Sequence, residues 1–381
     1  MRILNNEILE LHHEHIGVLS VQSELPVKNG IDLAKAYTPG VAELSKLIEK
    51  HNELAREYTI SGKLVAVISD GSAVLGLGNV GPQAGLPIVE GKSLLYKTFA
   101  NVDAIPMAID QVEIDVFVET IKNMSHSFAG IHLEDIQAPR CFEIEDKLKE
   151  LLDIPVYHDD QEGTAIVVLA GLINAAKASH RKLSDLKIVL NGVGASGVAT
   201  AKLLAAAGVT HVTLVDKEGI LTKSSAQLNP YQKHLLSLFN KRESGDLSEA
   251  IVDQDVFIGL STGNLLTKEM IRTMNDNPII FALANPVPEV TPEEAKEGGA
   301  KLVATGSSDY PNQVNNVLAF PGLFAGLLEA KAKSVNEQLQ LHVAKTLADL
   351  VENPTEDYFI PNVFETRVVP AIKRAVVNFF N

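Results

Sequence analysis

Hydrophobic and polar positions along the first part of the chain alternate between two periods. Short apolar, β-branched runs such as "KLVAVISDGS", "AIPMAID" and "GIHLED" read as strands, while "GVAELSKLIEKHNEL" repeats its apolar positions every three to four residues and reads as an amphipathic helix. A Gly-rich stretch, "GLGNVGPQAG", separates them as a loop. From Ser184 the pattern becomes regular: "LKIVLNG", a helix through Leu204, "HVTLVD", "DVFIGLS", "PIIFALANP" and "KLVATG". Strands alternating with helices in this way predict parallel βαβ units, hence a doubly wound α/β fold. The last segment reads as amphipathic helices that pack back on the rest. The expected division is an N-terminal α/β domain over residues 1–160, a doubly wound domain over 161–325 and C-terminal helices over 326–381. No fixed repeat or low-complexity segment interrupts it.

Length and composition narrow the class. At 381 residues the chain is too long for a single core, and 46% hydrophobic with 21% charged residues is the balance of a soluble globular protein. The formal net charge of −15 opposes binding to nucleic acid or anionic lipid, and no Lys/Arg run offsets it. Cys141 is the one cysteine, which rules out an internal disulfide and a cysteine-based zinc site. The N-terminal "MRILNNEILELHHEH" lacks a signal-peptide core, and the uncharged stretch Thr164 to Ala176 falls short of the roughly 20 residues that span a bilayer. A cytoplasmic enzyme is expected. The eleven histidines, His12, His13 and His15 among them, form no recognisable ligand pattern and read as surface residues.

Candidate chemistry is concentrated in three places. In "KIVLNGVGASGVATAKLL", Gly192, Gly194 and Gly197 form G-x-G-x-x-G between a β-branched strand and an alanine-rich helix. Gly192 would permit the tight turn, Gly194 the approach of a pyrophosphate and Gly197 close helix–strand packing, with the anion on the helix N-terminus. Asp216 ends the next strand 19 residues beyond Gly197, where a carboxylate can hold ribose hydroxyls. The second domain is therefore expected to be Rossmann-like and to bind a dinucleotide.

The second and third places are acidic pairs. In "YHDDQEGTA" Asp159 and Asp160 precede a helix that one Asp would suffice to cap, and Glu134 and Asp135 follow a strand in "GIHLEDIQAP". Such pairs at strand ends suit either solvated loop charge or a Mg²⁺ or Mn²⁺ site, because hard dications take oxygen ligands. Spacing alone does not choose between the two.

Taken together, "AYTPGVAE", "SDGSAVLGLGNVGPQAGLPIVEGK", "HLEDIQAP", "YHDDQEGTA", "NGVGASG", "FALANPVPEV" and "DYPNQVNNVLAFPG" resemble the malic enzymes, in particular their short bacterial form, over nearly the whole chain. The resemblance implies oxidative decarboxylation of L-malate to pyruvate and CO₂ with NAD or NADP and a divalent metal. It implies Glu134, Asp135 and Asp160 as metal ligands with Asp159 beside them, Lys92 as general base and Tyr37 as general acid. Lys97, five residues on, is the rival of Lys92. For the base to act, desolvation and the metal charge would have to lower the lysine pKa. Asn285 and Asn316, with Asn315 as neighbour, match amides that contact substrate. Asn285 is also placed with Gly192, Gly194, Ala195, Ser196, Gly197 and Asp216 among the cofactor contacts, and "STGNLLT" (261–267) is expected near the cofactor.

Asp216 favours NAD over NADP, since it would face a 2′-phosphate at close range, and Lys217 is expected to point to solvent. Three positions depart from the family pattern: Glu162 where His is expected, Ser307 where Arg is expected, and Ser72-Ala73-Val74 where larger relatives carry an Arg for a substrate carboxylate. These departures raise an alternative, a metal-dependent oxaloacetate decarboxylase without net redox. A malolactic enzyme would share the site chemistry on a longer chain. A homodimer is expected in either case.

Overall fold

The computed structural model describes residues 5–239 and 244–381. Its apolar runs form two parallel sheets. The first comprises β1 (Val65–Ser69), β2 (Ala104–Ala108), β3 (Gly130–Leu133) and β4 (Val156–His158), in the order β2-β1-β3-β4. The second comprises β5 (Ile188–Asn191), β6 (Val212–Asp216), β7 (Gly219–Ile220), β8 (Val256–Gly259), β9 (Ile279–Ala282) and β10 (Leu302–Thr305), in the order β10-β9-β8-β5-β6-β7. Only the two-residue β7 runs antiparallel, against the end of β6. The doubly wound expectation holds: β5 has β6 on one side and β8 on the other, so the order reverses there and a crevice opens beyond its C-terminal end.

Helices cover both faces of these sheets, so β1, β3, β5, β8, β9 and β10 are buried at every position, as parallel strands demand. This corrects one expectation. His132 in β3 and His158 in β4 are 0% exposed and belong to the interior. A strand covered on both faces has no solvent side to which its histidine could turn.

The uncharged run becomes the helix Thr164–Ala178, which packs against the helices Ala195–Ala206 and Glu337–Asp349 with eleven of its residues buried. Its one polar interior residue, Asn174, donates through Nδ2 to the carbonyls of Ala348 (2.9 Å) and Phe359 (3.1 Å). The C-terminal helices pack back as expected. Val368–Phe380 lies along Phe320–Glu329, where a side chain at Gly322 would meet Ile372 Cβ at 2.9 Å. Residue 325 lies inside Phe320–Glu329, and residue 160 lies inside a π-helical turn, Asp159–Gly163. Phe320 and Phe324 reach the first sheet and stack edge-on against Tyr96. Among the described residues no helix is long and apolar enough to cross a membrane.

One region has no such burial. The helices Gly30–Ala36 and Gly40–Lys50 bury no residue, and Ile31, Leu33, Tyr37 and Val41 are exposed along with Val21, Leu25 and Val27 before them.

Candidate functional site

Strand register builds the acidic cluster. Leu133 of β3 pairs with His158 of β4, so the next residues, Glu134-Asp135 and Asp159-Asp160, leave the sheet side by side at its C-terminal edge. Ligand oxygens of Glu134, Asp135 and Asp160 lie within 4.8 Å of one another. Asp135 adopts φ +54°, a left-handed conformation that Asp tolerates better than most residues, and its N–H donates to Asp160 Oδ2 at 2.9 Å. The crowding is electrostatically unfavourable in the absence of a cation. Burial, with Asp160 and Glu134 adding to it, pushes Asp135 up to about 9, and burial with Glu134 pushes Asp160 to about 6. Three hard oxygen donors that repel one another fit a divalent cation of the Mg²⁺ or Mn²⁺ type.

Lys92 enters from the helix Pro82–Ala100. Its Nζ lies 2.6 Å from Asp159 Oδ2 and 3.0 Å from Glu134 Oε1, with only 15% of the side chain exposed. Lys97, by contrast, is 53% exposed and pairs with Asp103 at the surface. The direction of the Lys92 shift differs from the expectation. Burial lowers its pKa, but Asp159 and Glu134 more than reverse that, and the ammonium is held above the usual lysine range. The two carboxylates come from elements distant in the chain, so their pull on Lys92 is not visible in its local sequence.

Asp159 is fully buried and serves Lys92 rather than the cavity. Its Oδ1 accepts from Tyr157 Oη at 2.7 Å, and Asn316 Nδ2 donates to its Oδ2 and its carbonyl, both at 3.2 Å. His132, Glu134 and Asp159 form a second cluster of possible ligands, but the Lys92 ammonium already fills its cation position.

A cavity of about 470 Å³ lies between the sheets and joins the two halves of the site. Lys92, Glu134, Asp135 and Asp160 line it from the first sheet, and Ser196, Ser261, Asn285, Asn315 and Asn316 from the second and its loops. Among its described lining residues Lys92 is the one cation. Asn315 Oδ1 accepts from Val317 N–H at 3.0 Å. Tyr37 is not brought to this cavity within the chain; it is 66% exposed on the apolar N-terminal surface.

At the crevice beyond β5 each glycine does what its place in the turn requires. Gly192 has φ +99°, and a Cβ there would meet Leu260 O at 2.7 Å. Gly194 faces open space, leaving its backbone approachable, and a Cβ at Gly197 would collide with Gly192 O. Gly194 caps the helix Ala195–Ala206, whose first residues include Ser196. Asp216 ends β6 and accepts from the Lys217 N–H, while Lys217 itself is exposed. Ser261, at the start of "STGNLLT", accepts from Asn191 Nδ2 at 2.8 Å.

The departures also have places. Glu162 is buried and accepts from Lys149 Nζ (2.8 Å) and Gln340 Nε2 (2.6 Å), so it joins the C-terminal helix Glu337–Asp349 to the first sheet's helix Arg140–Leu151. Ser307 sits in the loop after β10, its N–H donating to Thr305 Oγ1. The histidines behind the carboxylates were missed by sequence reasoning. A polar residue inside a doubly covered strand was the available signal.

Comparison with known proteins finds relatives for both halves of the chain. Residues 19–149 match the family model "Malic enzyme, N-terminal domain", and residues 161–378 match "Malic enzyme, NAD binding domain". The chain is 48% identical to the bifunctional malic/malolactic enzyme of Bacillus subtilis, over 98% of this chain and 92% of that one. It is likewise 48% identical to the NAD-dependent malic enzyme of Geobacillus stearothermophilus, over 95% and 77%. Other relatives are named NADP-dependent malic enzymes. The crystal structure of malic enzyme from Pyrococcus horikoshii superposes with a TM-score of 0.96 at 44% identity, covering 99% of this chain and 90% of that one. With both family models matched in order and a relative nearly half identical along almost its full length, the chain belongs to the malic enzyme family.

Proposed function

We propose that the protein catalyses divalent-metal-dependent oxidative decarboxylation of L-malate to pyruvate and CO₂ with reduction of NAD. The observation that carries this reading is the convergence of Glu134, Asp135, Asp160 and Lys92 on the same cavity as Ser196 of the glycine-turn helix. Glu134, Asp135 and Asp160 would hold Mg²⁺ or Mn²⁺, and the glycine turn with Asp216 would hold NAD. When bound, these groups supply Lewis acidity at the C2 oxygen and a hydride acceptor, respectively.

The chain's own residues then divide the remaining work. Lys92 takes the C2 hydroxyl proton, for which it must first lose its own against the pull of Asp159 and Glu134. Glu134 is shared: engaged with a dication, it holds the ammonium less tightly, and the proton leaves more readily. Asn285, Asn315 and Asn316 orient the substrate carboxylates. Asn316 also fixes Asp159, and so the lysine, in place. Tyr37 returns a proton to C3 of the enolate.

That last role requires the exposed apolar segment carrying Tyr37 to dock against a cavity, and its uncovered Ile31, Leu33 and Val41 support the expected homodimer. NAD is favoured over NADP because Asp216 stands at the β6 end and Lys217 points outward.

The test is NADH formation from L-malate with and without Mn²⁺, beside decarboxylation of oxaloacetate without nucleotide. Metal-dependent NADH formation is expected. Decarboxylation of oxaloacetate with no malate oxidation would replace this reading by the non-redox alternative, which is disfavoured by the intact glycine turn.

A further inference from the structure

The two buried histidines have no part in the chemistry above. Each stands behind one acidic residue of the cluster. His132 Nε2 is 2.8 Å from Glu134 Oε2, and His158 Nε2 is 3.3 Å from Asp160 Oδ2. The contacts are not equivalent. His158 Nε2 finds no hydrogen bond of good geometry, whereas both nitrogens of His132 are engaged, because Nδ1 lies 2.8 Å from Tyr96 Oη.

Both ring nitrogens of His132 have a fixed partner. An ionised Glu134 only accepts, so Nε2 donates to it, while Nδ1 faces the Tyr96 hydroxyl, which can donate or accept. The ring has little freedom to leave this arrangement, since Tyr96, Tyr157, Phe320 and Phe324 surround it with centroids 5.4 to 6.2 Å away. Glu134 is consequently divided, with Oε2 bound to His132 and Oε1 turned to Lys92 Nζ at 3.0 Å.

We propose that His132, held in place by Tyr96 and the surrounding rings, is the positioning residue of the dication site. By holding Glu134 Oε2 it presents Oε1 to the cavity at the point where the ion and the base meet. The proposal rests on the reading of Glu134 as a ligand. Its physical basis is that a carboxylate already oriented by a buried donor loses less freedom when it takes up an ion. Lys92 cannot supply this orientation, because it contacts the oxygen that is to be presented.

The experiment measures Mn²⁺ dissociation constants, from the resonance of free Mn²⁺, for the wild type and for His132→Leu, His132→Gln, Tyr96→Phe and Glu134→Gln. NADH affinity and melting temperature are recorded for each protein. His132→Leu is expected to weaken Mn²⁺ binding by about 10- to 100-fold with NADH affinity unchanged. His132→Gln, whose amide N–H reaches the Nε2 position, is expected to recover to within about threefold of wild type, with Tyr96→Phe between the two. Wild-type Mn²⁺ affinity in His132→Leu, or a Gln variant no better than Leu, overturns the proposal.

If His132→Leu does not fold, His132→Asn replaces it, since its shorter amide reaches the Nδ1 position but not Glu134. Equal affinities for the Asn and Gln variants then overturn the proposal. Glu134→Gln separates the two levels. If it keeps wild-type affinity, Glu134 is not a ligand and the underlying reading fails. If it loses Mn²⁺ while the His132 variants do not, only the positioning role fails.

Discussion

Replacing Lys92 by Ala should destabilise the protein and strengthen metal binding at the same time. The Nζ atom is within 3.0 Å of two carboxylates, Asp159 and Glu134, and removing it leaves both buried without their counterion. Leaving a buried ion pair half-empty costs about 3–5 kcal/mol. Coulomb's law gives a similar figure, about 4 kcal/mol for one pair ~4 Å apart at an effective dielectric constant of ~20. The melting temperature of the metal-free variant should fall by on the order of 5–10 °C.

The lost cation also repelled any dication at the cluster. Saturating Mn²⁺ should therefore raise the melting temperature of Lys92→Ala by more than it raises that of wild type, while malate oxidation drops by about 10²-fold or more. Lys97→Ala is the control: its pair with Asp103 is exposed and worth at most about 1 kcal/mol. Thermal unfolding with and without Mn²⁺, together with NADH formation, reads all three effects. A smaller Mn²⁺-induced shift in Lys92→Ala than in wild type would refute the reasoning, because lysine and metal would then not compete for the same carboxylates.

Three further outcomes are expected. Asp160→Asn lowers the ligand charge around a dication from −3 to −2 and should cost several kcal/mol of transition-state stabilisation; rates near wild type at saturating Mn²⁺ would remove Asp160 from the ligand set. Catalytic efficiency with NAD should exceed that with NADP by at least about tenfold, and Asp216→Ser should narrow the gap mainly by improving NADP; equal efficiencies or a wild-type preference for NADP would show that Lys217 governs the pocket. Asn174→Ala removes a donor from two buried carbonyls, of which Ala348 keeps the Val351 N–H and Phe359 loses its Asn174 donor, and should lose about 1–3 kcal/mol in urea unfolding while Mn²⁺ affinity stays unchanged.

Much of the architecture was legible because parallel strands buried on both faces are written as continuous β-branched runs. "KIVLN", "HVTLVD" and "PIIFALA" each announce themselves in this way. The same rule hid the histidines. His132 in "GIHLED" and His158 in "YHDDQEGTA" read as surface histidines in the sequence, but covered sheets have no outside. β4 and β7 span three and two residues and carry too little pattern to delimit.

Candidate site residues could be named from the order of the motifs, whereas their mutual electrostatics could not be read there. Nothing in the spacing of Lys92, Glu134 and Asp159 says that the lysine lies between two carboxylates. The role of Glu162 was equally hidden, because its partners Lys149 and Gln340 come from two different helices. Nor did the sequence say that Tyr37 stands apart from the cavity in a single chain.

The pairing of Leu133 with His158 has a consequence for how the two binding functions can be separated. All three proposed ligands come from the ends of two adjacent strands joined by one crossover helix, Arg140–Leu151, so a single βαβ unit assembles the metal-binding edge. The nucleotide turn belongs to the other sheet and shares no strand with it. Damage confined to the glycine turn is then expected to lower dinucleotide affinity while the proposed ion-binding edge stays assembled.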